Sequence, residues 1–251
     1  MERPFFVDTP RPPSRSYREG MPRFLPLLLA CSSGALAAPL ATLSFDAAIL
    51  ARPVRVVERT LARDEWTGAV LPPHAALAFG PPARPSGDLD VFDVAELLQA
   101  NGADDGHLHW LDVPWNVKQL HKMLEQRAAT SSTPGPFPFV PLVVGDQAVH
   151  AAVKYLDFGG LHGVRYVTAF TTRFDRPLDD RALLYTFQGF TSDGTFLVSW
   201  RQPLELPDVL ATGPVAQWDA YKTATTKLLD AFTNDTRLTI LDRFLATLHV
   251  R

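Results

Sequence analysis

Two periodicities divide this chain. Through Asp93–Ala128 apolar residues recur every three or four positions, from Val149 to Gln202 they alternate, and beyond Val215 the helical period returns. Asp93 and Glu96 have the spacing of a capping box and Asn101-Gly102 supplies a stop, so a short helix is expected between them. A second helix is expected to open at Asn116, with Val117, Leu120, His121, Leu124 and Ala128 as its apolar stripe. Ahead of these, Val54–Thr60 and Ala69–Phe79 read as short strands, and Gly80–Gly87 as a proline-stiffened loop. Thr130–Pro138 reads as a Ser/Thr/Pro/Gly linker.

In the alternating region Val149, Ala151, Val153 and Tyr155 are expected on one face, with His150, Ala152, Lys154 and Leu156 on the other. Gly159-Gly160 and Gly163 permit a reversal, and Val164, Tyr166, Thr168 and Phe170 share a face of the next strand. Leu183–Phe190 and Thr195–Gln202 flank Ser192-Asp193-Gly194, a hairpin turn with Gly where positive φ is needed. The result is a four-strand antiparallel meander in the C-terminal half. Val215, Trp218, Lys222, Thr225, Leu229 and Phe232 then mark one helix, and Leu238, Leu241, Phe244, Leu245 and Leu248 another. The fold class expected is α+β, the sheet packed against helices, over a single domain at 38–251 with a candidate sub-boundary at 130–138.

The N-terminus reads as a targeting segment. Phe24–Ala38, FLPLLLACSSGALAA, is a short apolar run after Arg18 and Arg23, closed by Ala35-Leu36-Ala37 as an A-x-A-like cleavage site. Residues 1–37 are therefore expected to be a signal peptide, placing the mature chain in the periplasm, outside the cell or on a membrane face. Leu28-Leu29-Ala30-Cys31 followed by Ser-Ser-Gly resembles a lipobox, which makes Cys31 a lipidation candidate and a lipid anchor the tether it would supply. Glu2, Asp8 and Glu19 are unusual before a signal, which suggests a translation start at Met21. No later stretch reaches the length of a transmembrane helix.

Composition narrows the classes. With 46% hydrophobic and 20% charged residues the chain has the material for a core and is not a disordered protein. Its formal charge is -3; five of 24 basic and three of 27 acidic residues leave with the signal, taking it to about -5. A near-neutral to acidic balance excludes nucleic acid as a partner. One Cys excludes an internal disulfide and a thiolate zinc cage.

The run FPFVPLVVGDQAVHAAVKYLDFGGLHGVRYVTAF, then LLYTFQGFTSDGTFLVSW, resembles a family of bacterial secreted proteins and lipoproteins. Its distinctive parts are Gly163-Val164-Arg165-Tyr166 and Tyr185-Thr186-Phe187-Gln188-Gly189, and Phe190 departs from the smaller aliphatic residue expected there. The layout of Leu241–Val250 is similar to the ends of Mog1/PsbP-like domains. These likenesses imply an exported α+β domain and supply no catalytic residues.

The chemistry-bearing residues support two classes. Arg165, Arg173, Gln188 and Arg201 are spaced along the expected strands; gathered on one face they would bind a polar or anionic ligand, Arg in bidentate fashion. The plainer reading puts them on the solvated face of a one-sided sheet. His107 and His109 share a face of an extended segment, and His121 and Glu125 share a helix face, so the four could hold zinc with a position open for water. Against it, no HExxH-type ligand motif is present and His121 falls on the apolar stripe. Asp157-Phe158-Gly159 is turn chemistry; GxSxG, Walker and GxGxxG motifs are absent. The function expected is an envelope or extracellular binding or structural module, non-catalytic and without cofactor, whose partner is an envelope protein, a polymer or a small ligand. The alternative is a zinc-dependent hydrolase built on the histidines.

Overall fold

A computed structural model describes residues 40–83, 86–102, 112–179, 182–204 and 215–251. In chain order these form β1 (Leu43–Ser44), a 3-10 turn (Ala47–Leu50), β2 (Val54–Arg59), β3 (Ala62–Arg63), β4 (Val70–Leu71), β5 (His74–Phe79) and β6 (Asp88–Asp93). Helices α1 (Val94–Asn101) and α2 (Val113–Gln126) follow, then β7 (Asp146–Phe158), β8 (Leu161–Thr171), β9 (Leu184–Thr191) and β10 (Phe196–Pro203). Helices α3 (Trp218–Asp230) and α4 (Thr236–Leu245) and the short β11 (His249–Val250) complete the chain. Pro39–Arg251 is one compact unit, and β11 pairs with β1, tying its two ends together.

Seven strands make one antiparallel sheet in the order β2-β5-β6-β10-β9-β8-β7. The fold is α+β, with the expected meander at β7–β10. The meander is only part of the sheet, because β6 pairs with β10 from Asp93↔Phe196 to Asp88↔Arg201 and brings β5 and β2 with it. Read as sequence, Asp88-Leu-Asp-Val-Phe-Asp looks too acidic for a central strand. It becomes one because Asp88 meets Arg59 at 2.6 Å and Asp90 meets Arg201 at 2.9 Å and His74 at 3.3 Å.

Helices cover both faces. Leu229, Leu241, Phe244 and Leu245 of α3 and α4 close over Phe79, Val91, Phe187 and Trp200. On the other face Leu97, Val117, Leu120 and Leu124 of α1 and α2 close over Phe92, Val164, Phe190 and Leu197. The expectation of a sheet with one solvated side is therefore corrected: β5 is buried at every position and β9 at all but its first. Among the described residues no helix is long and apolar enough to cross a membrane.

Local chemistry explains several element ends. Asp93 accepts from the Glu96 amide at 2.9 Å and caps α1. The α2 helix opens at Val113, three residues earlier than expected, because Pro114 suits a first helical turn; Asn116 sits inside it, buried. Gly194, at φ 74°, closes the β9–β10 hairpin as expected. Gly163 belongs to β8 rather than to the turn before it. It lies opposite Gly189, and a Cβ there would stand 2.4 Å from the Phe187 ring and 2.6 Å from the Gln188 carbonyl oxygen.

One bulge changes the expected alternation of β7. Register shifts between Ala151 and Lys154, with Ala152 at φ 52°. Val149, Ala151, Ala152 and Leu156 consequently join the core under α3 and α4, while Val153 and Tyr155 join the other.

Candidate functional site

The four residues expected to gather for a ligand do not. Arg165 opposes Phe187 in the ladder and Gln188 opposes Val164, so strand alternation sends their side chains to opposite faces. Arg165 is fully buried and its donors are spent inside the fold. Nε and Nη2 reach the Asp242 carboxylate at 3.2 and 3.3 Å, Nη2 donates to the Thr233 carbonyl at 2.9 Å, and Nη1 donates to the carbonyl of bulged Ala152. Tyr185 donates to the same carboxylate at 3.0 Å; burial first, then the Asp242 charge, pushes its phenol well above the ordinary range. Gln188, also fully buried, donates to Ser199 Oγ at 2.7 Å and the Val140 carbonyl at 3.1 Å, and accepts from the Val140 amide at 3.2 Å. Arg201 pairs with buried Asp90, and Arg173 lies exposed beside Asp175 at 3.5 Å. Arg165 and Gln188 are structural linchpins with no face left for a ligand.

Of the metal candidates, His107 and His109 lie outside the described residues, as does Cys31. His121 stacks flat on Phe190, ring centroids 3.9 Å apart, and burial lowers its pKa against the raising effect of Glu125; Glu125 itself is exposed. Among the described residues no group of three or more His, Cys, Asp or Glu could hold a metal ion.

Sequence reasoning missed a cleft of about 500 Å³ between α2, the Gly135–Gln147 stretch and the end of β8. Trp115, Phe137, Phe139, Leu142, Val143 and Phe170 give it an apolar lining, and Asn116, Asp146, Gln147 and Lys222 add polar groups. Up to Gly145 the stretch has no regular secondary structure, yet side chains from four elements pin its backbone. Asn116 of α2 accepts from the Phe139 amide at 3.0 Å, and Gln147 of β7 accepts from the Phe137 amide at 2.7 Å. Tyr166 of β8 donates to the Pro138 carbonyl at 3.0 Å, and Gln188 brackets Val140. Aromatic contacts set the rings: Phe139 meets Phe170 edge-on at 4.8 Å, and Phe137 stacks on His150 at 4.0 Å. The lining is thus held by hydrogen bonds and ring contacts of the fold itself.

The cleft continues in both directions. A hollow of about 280 Å³ shares Trp115, Pro136 and Phe137 with it. Another of about 330 Å³ shares Gly145 and Asp146 and adds Trp66, Val144 and Phe174, three of the exposed large apolar side chains. The one sequence signal was the Phe-Pro-Phe-Val-Pro run, apolar but without period, which pattern rules pass over as linker.

No protein-family model, curated protein or solved structure matches this chain.

Proposed function

We propose that the chain is an exported, non-catalytic binding module of the cell envelope or extracellular space, with the Trp115–Phe139–Phe170 cleft as its ligand site. The observation that carries this reading is the pinned aromatic lining: a concave, largely apolar cleft with a few fixed polar groups is how small-ligand sites are built. A small organic ligand suits it better than a polymer or a protein, since about 500 Å³ is the volume of a small-molecule cleft. Export is supported by the Phe24–Ala38 run and by the resemblance to secreted proteins and lipoproteins.

The test is intact mass and N-terminal mapping of the protein recovered from its native host, membrane and soluble fractions kept apart. A chain starting at Ala38, or at an acylated Cys31, that releases a small molecule on denaturation supports the proposal. An unprocessed Met1 in the cytoplasm sinks the export half. A Val143→Trp protein, its cleft filled, that still carries the same molecule sinks the site.

A further inference from the structure

Charge is distributed unevenly around the cleft. Lys222 of α3 reaches its lining across β7 and is half-buried there. Among the described residues its ammonium has no carboxylate within 4.0 Å and no hydrogen-bond partner. Asp146, the acid of the same lining, stands exposed at the start of β7, where water screens it. Of the neighbouring amides, Asn116 binds the Asp112 carbonyl and the Phe139 amide, while Gln147 accepts from the Phe137 amide with its oxygen and, among the described residues, keeps a buried, unpaired NH2 as a second donor in the lining. Buried His150, stacked behind Phe137, brings no negative charge. Burial lowers its pKa against the Thr133 carbonyl, with the Lys222 charge lowering it and the Asp230 carboxylate raising it; Asp230 is itself held by the Ser131 hydroxyl and the Ala152 amide. A half-buried cation thus lines the same cleft as four aromatic rings, and none of the described residues supplies its counter-ion.

We infer that the cleft takes an organic anion with a flat, ring-bearing body, its anionic end on Lys222 and its rings against Trp115, Phe137, Phe139 and Phe170. This rests on the binding reading above and assigns its ligand class. The part-apolar setting makes the charge-assisted contact stronger than it would be in water, while a cationic analogue meets repulsion at the same point.

The test is calorimetric titration of the full chain with a matched pair, naphthoate and naphthylmethanol, which share a ring body and differ in charge. Naphthoate is expected to bind about tenfold more tightly than the alcohol. Lys222→Gln should erase that preference and Lys222→Arg should keep it. Equal binding of the two by the wild type, or a preference that survives Lys222→Gln, overturns the Lys222 assignment while leaving the cleft a binding site. Failure of both compounds to bind, or binding undiminished by Val143→Trp, overturns the cleft reading and this inference with it. Trp115→Ala, which strips a ring from the same wall, replaces Val143→Trp should that variant not fold.

Discussion

Removing the Asp242 carboxylate puts the interior of this fold to its hardest test. Asp242 takes Arg165 Nε and Nη2 at 3.2 and 3.3 Å, the Tyr185 hydroxyl at 3.0 Å and Lys154 at 3.4 Å. Arg165 is wholly shielded from water, so Asp242→Ala strands a buried cation whose remaining acceptors are the neutral carbonyls of Ala152 and Thr233. Breaking a buried pair this way costs about 3–5 kcal/mol. The orphaned Tyr185 hydroxyl adds about 1–3 kcal/mol if nothing replaces its acceptor. Against a domain stability of about 5–15 kcal/mol, the variant should unfold at a much lower urea concentration. Replacing both partners, Arg165→Met with Asp242→Leu, removes the stranded charge and should recover most of the loss. The assay is urea unfolding of the wild type, of Asp242→Ala, and of Arg165→Met, Asp242→Leu and their combination, the last three read with the wild type as a double-mutant cycle. An Asp242→Ala cost below about 1 kcal/mol, or a double variant as unstable as the sum of the singles, would refute the account of Arg165 as a buried, fully committed cation.

Gly163→Ala should cost about 1–3 kcal/mol in the same assay. Shrinking Phe187 to Leu alongside it should restore only part of that, because the Gln188 carbonyl at 2.6 Å is backbone; complete rescue would contradict the packing described. Burial pushes the Asp90 carboxyl up, but the hydrogen bond from His74, with Arg201, His74 and Arg59 as charges, outweighs it and holds the group below the usual carboxylate range. With the folded value depressed, its stabilisation is complete above the unfolded pKa of about 4 and is lost as pH falls through the folded value. The stability of Asp90→Asn should therefore fall less steeply below about pH 4 than that of the wild type, and parallel acid-unfolding curves would count against this.

What the sequence discloses is what short-range physics decides. The β9–β10 hairpin, the Asp93 cap and the helical stripes of α3 and α4 were legible because each depends on residues within a turn or two. Strand β6 was not, since the cations that make its aspartates tolerable come from Arg59 and Arg201, far away along the chain. Arg165 was legible as a strand residue and misleading as a ligand residue. Which face is wet depends on α4, and Asp242 lies 77 positions away. The aromatic cleft left no periodic trace because its backbone is fixed by side chains from α2, β7, β8 and β9 instead of by a ladder of its own. Loops pinned from elsewhere are the part of a fold that pattern reading reaches last.

The place where β6 meets β10 also sets an order of events during synthesis. Asp88–Asp93 can find its partner only after Phe196–Arg201 has been made, a closure of more than a hundred residues at the centre of the sheet. The hairpins of β7–β10 are local and are expected to form first, as the template on which β6, β5 and β2 then dock. Until then Leu77, Phe79, Leu89 and Val91 have neither their central neighbour nor their helical cover. Strands β2, β5 and β6 are thus the part most exposed to aggregation as the chain emerges, and the one a holding chaperone would be expected to grip.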